Sequence, residues 1–75
     1  MDVHHLAKMA NQIGSFFEAY PDREFAINEI TAHLRKFWEP RMRDAMFKDL
    51  ESVKADLHPA VYEAFLRLQA SEAEV

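Results

Sequence analysis

Three prolines, Pro21, Pro40 and Pro59, cut this chain into four segments, and each segment repeats its apolar residues at helical spacing. Proline disfavours helical geometry at the residue before it and suits the first turn of a new helix. The punctuation therefore predicts short helices joined by tight corners. A single glycine in 75 residues argues against an all-β fold rich in turns. The first helix is expected over about 3–20, with Asp2 as N-cap and Leu6, Met9, Ala10, Ile13, Phe17 and Tyr20 on one stripe. The second, about 23–38, aligns Ile27, Ile30, Leu34, Phe37 and Trp38. The third, about 40–56, aligns Met42, Met46, Leu50 and Val53, and the last, about 59–70, aligns Val61, Phe65 and Leu68. Residues 71–75 read as a frayed acidic tail. The expected fold is all-α, a single domain over residues 1–75 made of about four short helices.

Composition narrows the function. The chain has no cysteine, which excludes a disulfide scaffold, the usual zinc fingers and thiolate ligation of iron–sulfur clusters. No apolar run approaches the roughly 20 residues that span a bilayer, and the start, with Asp2, His4 and His5, does not read as a signal peptide. The expected location is the cytoplasm. Net charge is −4, yet Arg35, Lys36, Arg41 and Arg43 against Glu39 give residues 35–43 a net +3, and the remainder −7. One basic spot on an acidic chain suits a specific anionic contact and argues against nucleic-acid binding.

That basic spot lies in the most unusual stretch of the chain, HLRKFWEPRMR at residues 33–43. Arg35 and Lys36 suit a helix C-terminus, and Arg35 can pair with Glu39 four residues on. Arg41 and Arg43 occupy the first turn of the next helix, where positive charge is disfavoured. With the free amides of that turn they would hold a phosphate or a partner's carboxylates; alternatively they pair with Glu39, Asp44 or another internal acid. Phe37 and Trp38 extend the second stripe and read as core, although the indole edge of Trp38 also suits an interface. Phe25, Phe47 and Tyr62, with Leu66 beside Tyr62, fall off their stripes. They either fill a bundle from a second side or mark an interaction surface.

No catalytic set emerges. The chain lacks a glycine-rich phosphate loop, a cysteine nucleophile and a serine in an elbow, and Ser15 and Ser52 fall within predicted helices. His4 and His5 diverge on a helix. His33 has Glu29 one turn earlier, which reads as a hydrogen-bonded pair and not as a metal site. His58 before Pro59 reads as a cap or turn residue. No catalytic, cofactor or metal residues are assigned, and the residues point to a binding module.

The stretches KMANQIG (residues 8–14), Phe16–Phe17, Pro21–Asp22, HLRKFWEPRMR (33–43) and LHPAVYEA (57–64) together resemble the delta subunit of NAD-dependent formate dehydrogenase over nearly the whole chain. Between the third and fourth helices the chain departs from that family. It reads Glu51-Ser-Val-Lys-Ala-Asp56 where a glycine-rich connection is common, which implies a longer, more regular third helix. The resemblance implies a small cytoplasmic protein that is not itself an enzyme. Its larger partner subunits would carry the molybdenum or tungsten pterin, iron–sulfur clusters, flavin and NAD site. The delta chain would serve as a bound subunit or as an assembly factor. Its expected contact residues are Phe37, Trp38, Glu39, Pro40, Arg41, Met42 and Arg43, with Phe25, Phe47 and Tyr62 as further apolar candidates. Two other readings stay open: a handler of the pterin dinucleotide pyrophosphate at the same corner, and a self-associating module that places Phe25, Phe47 and Tyr62 between copies.

Overall fold

A computed structural model describes residues 2–73, with side chains through Glu72. It contains helices and no strand among the described residues: α1 (Val3–Phe17), α2 (Arg23–Phe37), α3 (Pro40–Lys48), α4 (Leu50–Val53) and α5 (Pro59–Ala73), with a 3-10 turn at Lys54–Asp56. The all-α expectation holds. Asp2 caps α1 as expected, its Oδ1 accepting from the His4 N–H at 2.9 Å. Asp22 repeats the device on α2, accepting from the N–H groups of Glu24 (3.0 Å) and Phe25 (3.3 Å). At α5, Pro59 takes the first position and the His58 carbonyl accepts from the Tyr62 N–H at 3.0 Å. His58 is thus a cap.

Three boundaries differ from the sequence reading. α1 stops at Phe17, where the chain tightens into a turn with Tyr20 N–H on the Phe17 carbonyl (3.1 Å) ahead of Pro21, so Tyr20 leaves the stripe. The expected third helix over 40–56 is broken at Asp49 (φ −112°, ψ 18°) and again at Val53 (φ −105°, ψ 5°). The bends let the segment follow α1 along its length while Met46, Leu50, Val53 and Leu57 all stay buried. Finally, Ser71, Glu72 and Ala73 continue α5 instead of fraying. Arg35 donates to Ser71 Oγ (3.0 Å) and Arg43 to Glu72 Oε1 (2.8 Å), which tie that last turn down. Glu74 and Val75 lie outside the described residues.

α5 is the centre of the packing. Its Val61, Ala64, Phe65 and Leu68 are fully buried, and its widest interface is with α2, through Ile27, Ile30 and Leu34 in the same core. The Thr31 hydroxyl is buried in this contact and donates to the Ile27 carbonyl at 2.7 Å, so no polar atom is stranded there. Outside the core, Arg67 grips both carboxylate oxygens of Glu24 (2.8 and 2.9 Å) and Asn28 Oδ1 (3.1 Å), joining α5 to α2. The guanidinium hydrogen bond holds the Glu24 carboxyl below its ordinary range, with a smaller charge contribution from Arg67 and Arg23. A lowered carboxyl stabilises the fold above the ordinary Glu range and loses that contribution as pH falls through its folded value. Glu24→Gln is therefore expected to lower Tm at pH 7 and to narrow the gap from wild type below about pH 4, as read by thermal melts across pH. An unchanged gap across that range would disprove the linkage.

α1 meets α5 at Gly14. A Cβ added there would lie 2.4 Å from Val61 Cγ2 and 2.9 Å from Glu18 Oε1, closer than real contacts allow. Alanine in mid-helix ordinarily gains about 0.5–1 kcal/mol over glycine. Here overpacking against a fully buried, stiff valine outweighs it, so Gly14→Ala is expected to destabilise by about 1–2 kcal/mol in urea unfolding. Adding Val61→Ala, which removes the colliding methyl, should make the Gly14→Ala step less costly; a more stable Gly14→Ala single variant would refute the close approach.

Candidate functional site

The corner between α2 and α3 sorts its residues into two groups. Trp38 follows the last residue of α2 and adopts an extended backbone (ψ 136°), as does Glu39 (ψ 150°), which precedes Pro40. The turn swings the indole inward against Phe65, with ring centroids 5.6 Å apart, and Trp38 is buried. Phe37 takes the opposite course. The sequence places it in the core, but it sits at the edge of the α2 stripe where the chain turns away, and it is 63% exposed.

The two arginines also part company. Arg43 turns inward: its Nε donates to Glu72 at 2.8 Å, and its Nη1 donates to the carbonyls of Trp38 (2.7 Å) and Arg35 (3.3 Å). A helix leaves its last carbonyls unpaired, so Arg43 acts as a cap for α2 supplied by the next helix. This is the internal-acid alternative, with Glu72 as the acid. Arg41 is exposed and makes no ion pair among the described residues. With Arg43 committed, the two-arginine phosphate cradle at the start of α3 does not assemble. Arg35 bonds Ser71 in place of the expected Glu39. The outward corner consists of Phe37, Glu39, Pro40 and Arg41, while Met42 is half-buried against the core. Removing the Arg43 guanidinium strands charge-assisted bonds to carbonyls, so Arg43→Ala is expected to cost about 2 kcal/mol. Arg41→Ala should stay within about 0.5 kcal/mol. Equal effects of the two in urea unfolding would contradict this division.

The apolar candidates outside the corner do not come together. Phe47 is half-buried, edge-on to Phe65 at 6.4 Å, and belongs to the core. Tyr62 also packs on the core; its hydroxyl donates to Glu51, and Lys54 Nζ lies 5.0 Å over its ring. The Glu51 hydrogen bond raises the phenol above its ordinary pKa. Phe25 alone of the three is a large apolar group at the surface, in edge contact with Tyr20 at 5.1 Å.

Phe25 and Phe37 are instead two members of a continuous aromatic surface that the helical stripes did not reveal. Phe16 and Phe17 meet at 5.0 Å, Phe17 and Tyr20 at 6.3 Å, and Tyr20 and Phe25 at 5.1 Å. Phe17 also meets His33 at 6.3 Å, and His33 meets Phe37 at 4.7 Å. Phe16, Tyr20, Phe25 and Phe37 are 66%, 46%, 43% and 63% exposed. The sequence signal was the run Phe16–Phe17 beside a stripe that needs only one of them. Lys36 Nζ sits 5.5 Å over the Phe37 ring.

Two further features bear on function. Asn11 spans the turn before α5: its Nδ2 donates to the Asp56 carbonyl (2.7 Å) and its Oδ1 accepts from the His58 N–H (2.9 Å). Beside it, His58 Nδ1 lies 2.8 Å from Glu18 Oε1. Sequence periodicity gave no hint of this clamp. His33 makes no hydrogen bond to Glu29 among the described residues; its ring packs on Phe17 and Phe37 instead. No three metal-ligating side chains converge among the described residues. A recess of about 230 Å³, lined by Glu18, Tyr20, Pro21, Arg23, Ala26 and Ala60, opens at the α1–α2 turn. It is smaller than the roughly 300–1,000 Å³ of ordinary ligand sites. No helix among the described residues is long and apolar enough to cross a membrane.

Against known proteins, the sequence model of the NADH-dependent formate dehydrogenase delta subunit family, FdsD, matches residues 5–65. The chain belongs to this family. No curated relative and no solved structure matches it. An FdsD chain is one subunit of a multi-subunit formate dehydrogenase, so the other subunits are its partners. The FdsD match runs from α1 into α5 and ends before Arg67 and Glu72, the partners of Glu24 and Arg43. Much of the KMANQIG and LHPAVYEA stretches is structural in this FdsD chain: Ala10, Gly14, Leu57, Ala60, Val61 and Ala64 are buried, and Asn11 with His58 forms the clamp.

Proposed function

We propose that this chain is a non-catalytic accessory subunit of a cytoplasmic formate dehydrogenase that contains a molybdenum or tungsten pterin, and that it binds the large subunit and supports its stability or cofactor loading. The observation that carries the reading is the outward half of the α2–α3 corner. Phe37, Pro40 and Arg41 project from a rigid turn whose buried half, Trp38 and Arg43, is fully committed to the fold. An exposed ring and proline beside a guanidinium with no ion pair among the described residues suit an apolar recess rimmed by a carboxylate, the usual form of an interface anchor. Glu39, exposed beside them, adds a second charge that sets orientation.

The family supports the same reading, since a delta subunit has sister subunits to dock on. The decisive test is capture of the large subunit by tagged variants, read together with formate-dependent NAD reduction. Arg41→Glu, at an exposed position, should leave the helical circular dichroism intact and weaken capture at least about tenfold, or about 1.4 kcal/mol. Phe37→Ala should act in the same direction. Arg43 is unsuitable as a probe because its loss disturbs the fold itself. Undiminished capture and activity with both Phe37→Ala and Arg41→Glu would remove the corner from the interface.

A further inference from the structure

The outward face of α2 carries Phe25, Glu29, His33 and Phe37, spaced four residues apart along one ridge of the helix. The end members are exposed phenylalanines, and the two middle members are a carboxylate and an imidazole, both half-buried. Glu29 and His33 make no hydrogen bond to each other or to any other described residue, and neither has a buried side-chain polar atom left without a partner. Read in reverse, the ridge matches itself: a phenylalanine meets a phenylalanine at each end, and a carboxylate meets an imidazole twice in the middle. A two-fold interface requires this property, because residue i of one copy must suit residue j of the other and the reverse.

We propose that this ridge binds a second copy of the same chain, antiparallel, about a two-fold axis passing between Glu29 and His33. Phe25 then lies beside Phe37 of the other copy, and Glu29 accepts a hydrogen bond from the other copy's His33. Ridges of residues four apart interdigitate when helices cross at about −50°, the commonest helix-packing geometry. The contact extends over the neighbouring α1 aromatics. Phe16, Tyr20, Phe25 and Phe37 expose on the order of 400 Å² of ring surface, taking roughly 200 Å² for a whole ring. A stable interface takes about 800 Å² from each partner, so the rings supply about half and the dimer is weak and concentration-dependent. Phe37 also belongs to the outward corner, so one copy cannot hold both a second copy and a docked large subunit. The dimer is a state of the free chain.

Sedimentation equilibrium of the full chain alone tests this, from about 10 μM to about 1 mM, the range over which weak association is read. The wild-type mass is expected to climb from 8.8 kDa toward twice that value. Glu29→Arg, which sets a cation against the imidazole, should weaken association at least tenfold with helical circular dichroism unchanged. Phe25→Ala should do the same while leaving the charged pair in place. The swapped double variant Glu29→His/His33→Glu restores the pairing across the axis and should recover wild-type association to within about threefold. A wild-type mass of 8.8 kDa throughout would overturn the proposal. So would association unaffected by Glu29→Arg and Phe25→Ala, or a swap that restores nothing. None of these outcomes touches docking on the large subunit, which involves no second copy.

Discussion

The contact between Trp38 and Phe65 organises the rest of this molecule. Phe65 is fully buried on α5 and receives the indole of Trp38 and the edge of Phe47. For the indole to reach it, the backbone must leave helical geometry one residue before Glu39, which Pro40 already holds extended. That departure ends α2, sends α3 off in a new direction, and opens the last carbonyls of α2 to a donor from outside the helix. Arg43, one turn into α3, supplies it and carries the bond onward to Glu72 on α5. A large aromatic buries enough area to impose such a turn, and the arginine then satisfies the polar groups the turn exposes.

One consequence is a clean division of labour between adjacent residues. Trp38 and Phe37 are neighbours with similar chemistry, and Arg41 and Arg43 lie within one turn of each other. In each pair one member stabilises the fold and the other faces outward. The outward members, with Glu39 and Pro40, sit on a turn that the buried members hold rigid. An interface anchor held this way loses little conformational freedom when it docks, which favours specific binding by a small protein.

The first and last helices are joined by a different principle. Gly14 lets α1 approach α5 closely at Val61, and the Asn11 amide replaces two backbone hydrogen bonds that the turn at 56–58 cannot make internally. These contacts explain why the stretches that carry the family match are largely scaffold. The aromatic surface of α1 and α2 lies outside that scaffold. It has Phe17 and His33 as its half-buried floor and four exposed rings above them.

Local physics made the all-α class, the N-cap at Asp2, the boundaries at the three prolines and most of the core legible in the sequence, because each depends on residues within a turn or two of one another. Leu6, Ala10, Ile27, Ile30, Leu34, Met46, Leu50, Val53, Val61, Phe65 and Leu68 are buried where periodicity placed them. What periodicity could not decide was which apolar residues at a stripe's edge find cover. Phe37 extends the α2 stripe and Phe47 falls off its own, yet the placement of the other helices leaves Phe37 exposed and packs Phe47 on Phe65. The same holds for charge. Arg43 and Arg41 are alike in sequence, and a carboxylate 29 residues away on α5 distinguishes them. The break at Asp49 likewise follows from the path around α1 and not from any proline or glycine in the segment. The sequence determined the helices, and the tertiary structure decided which of their side chains remain free to bind, because burial depends on neighbours that are distant along the chain.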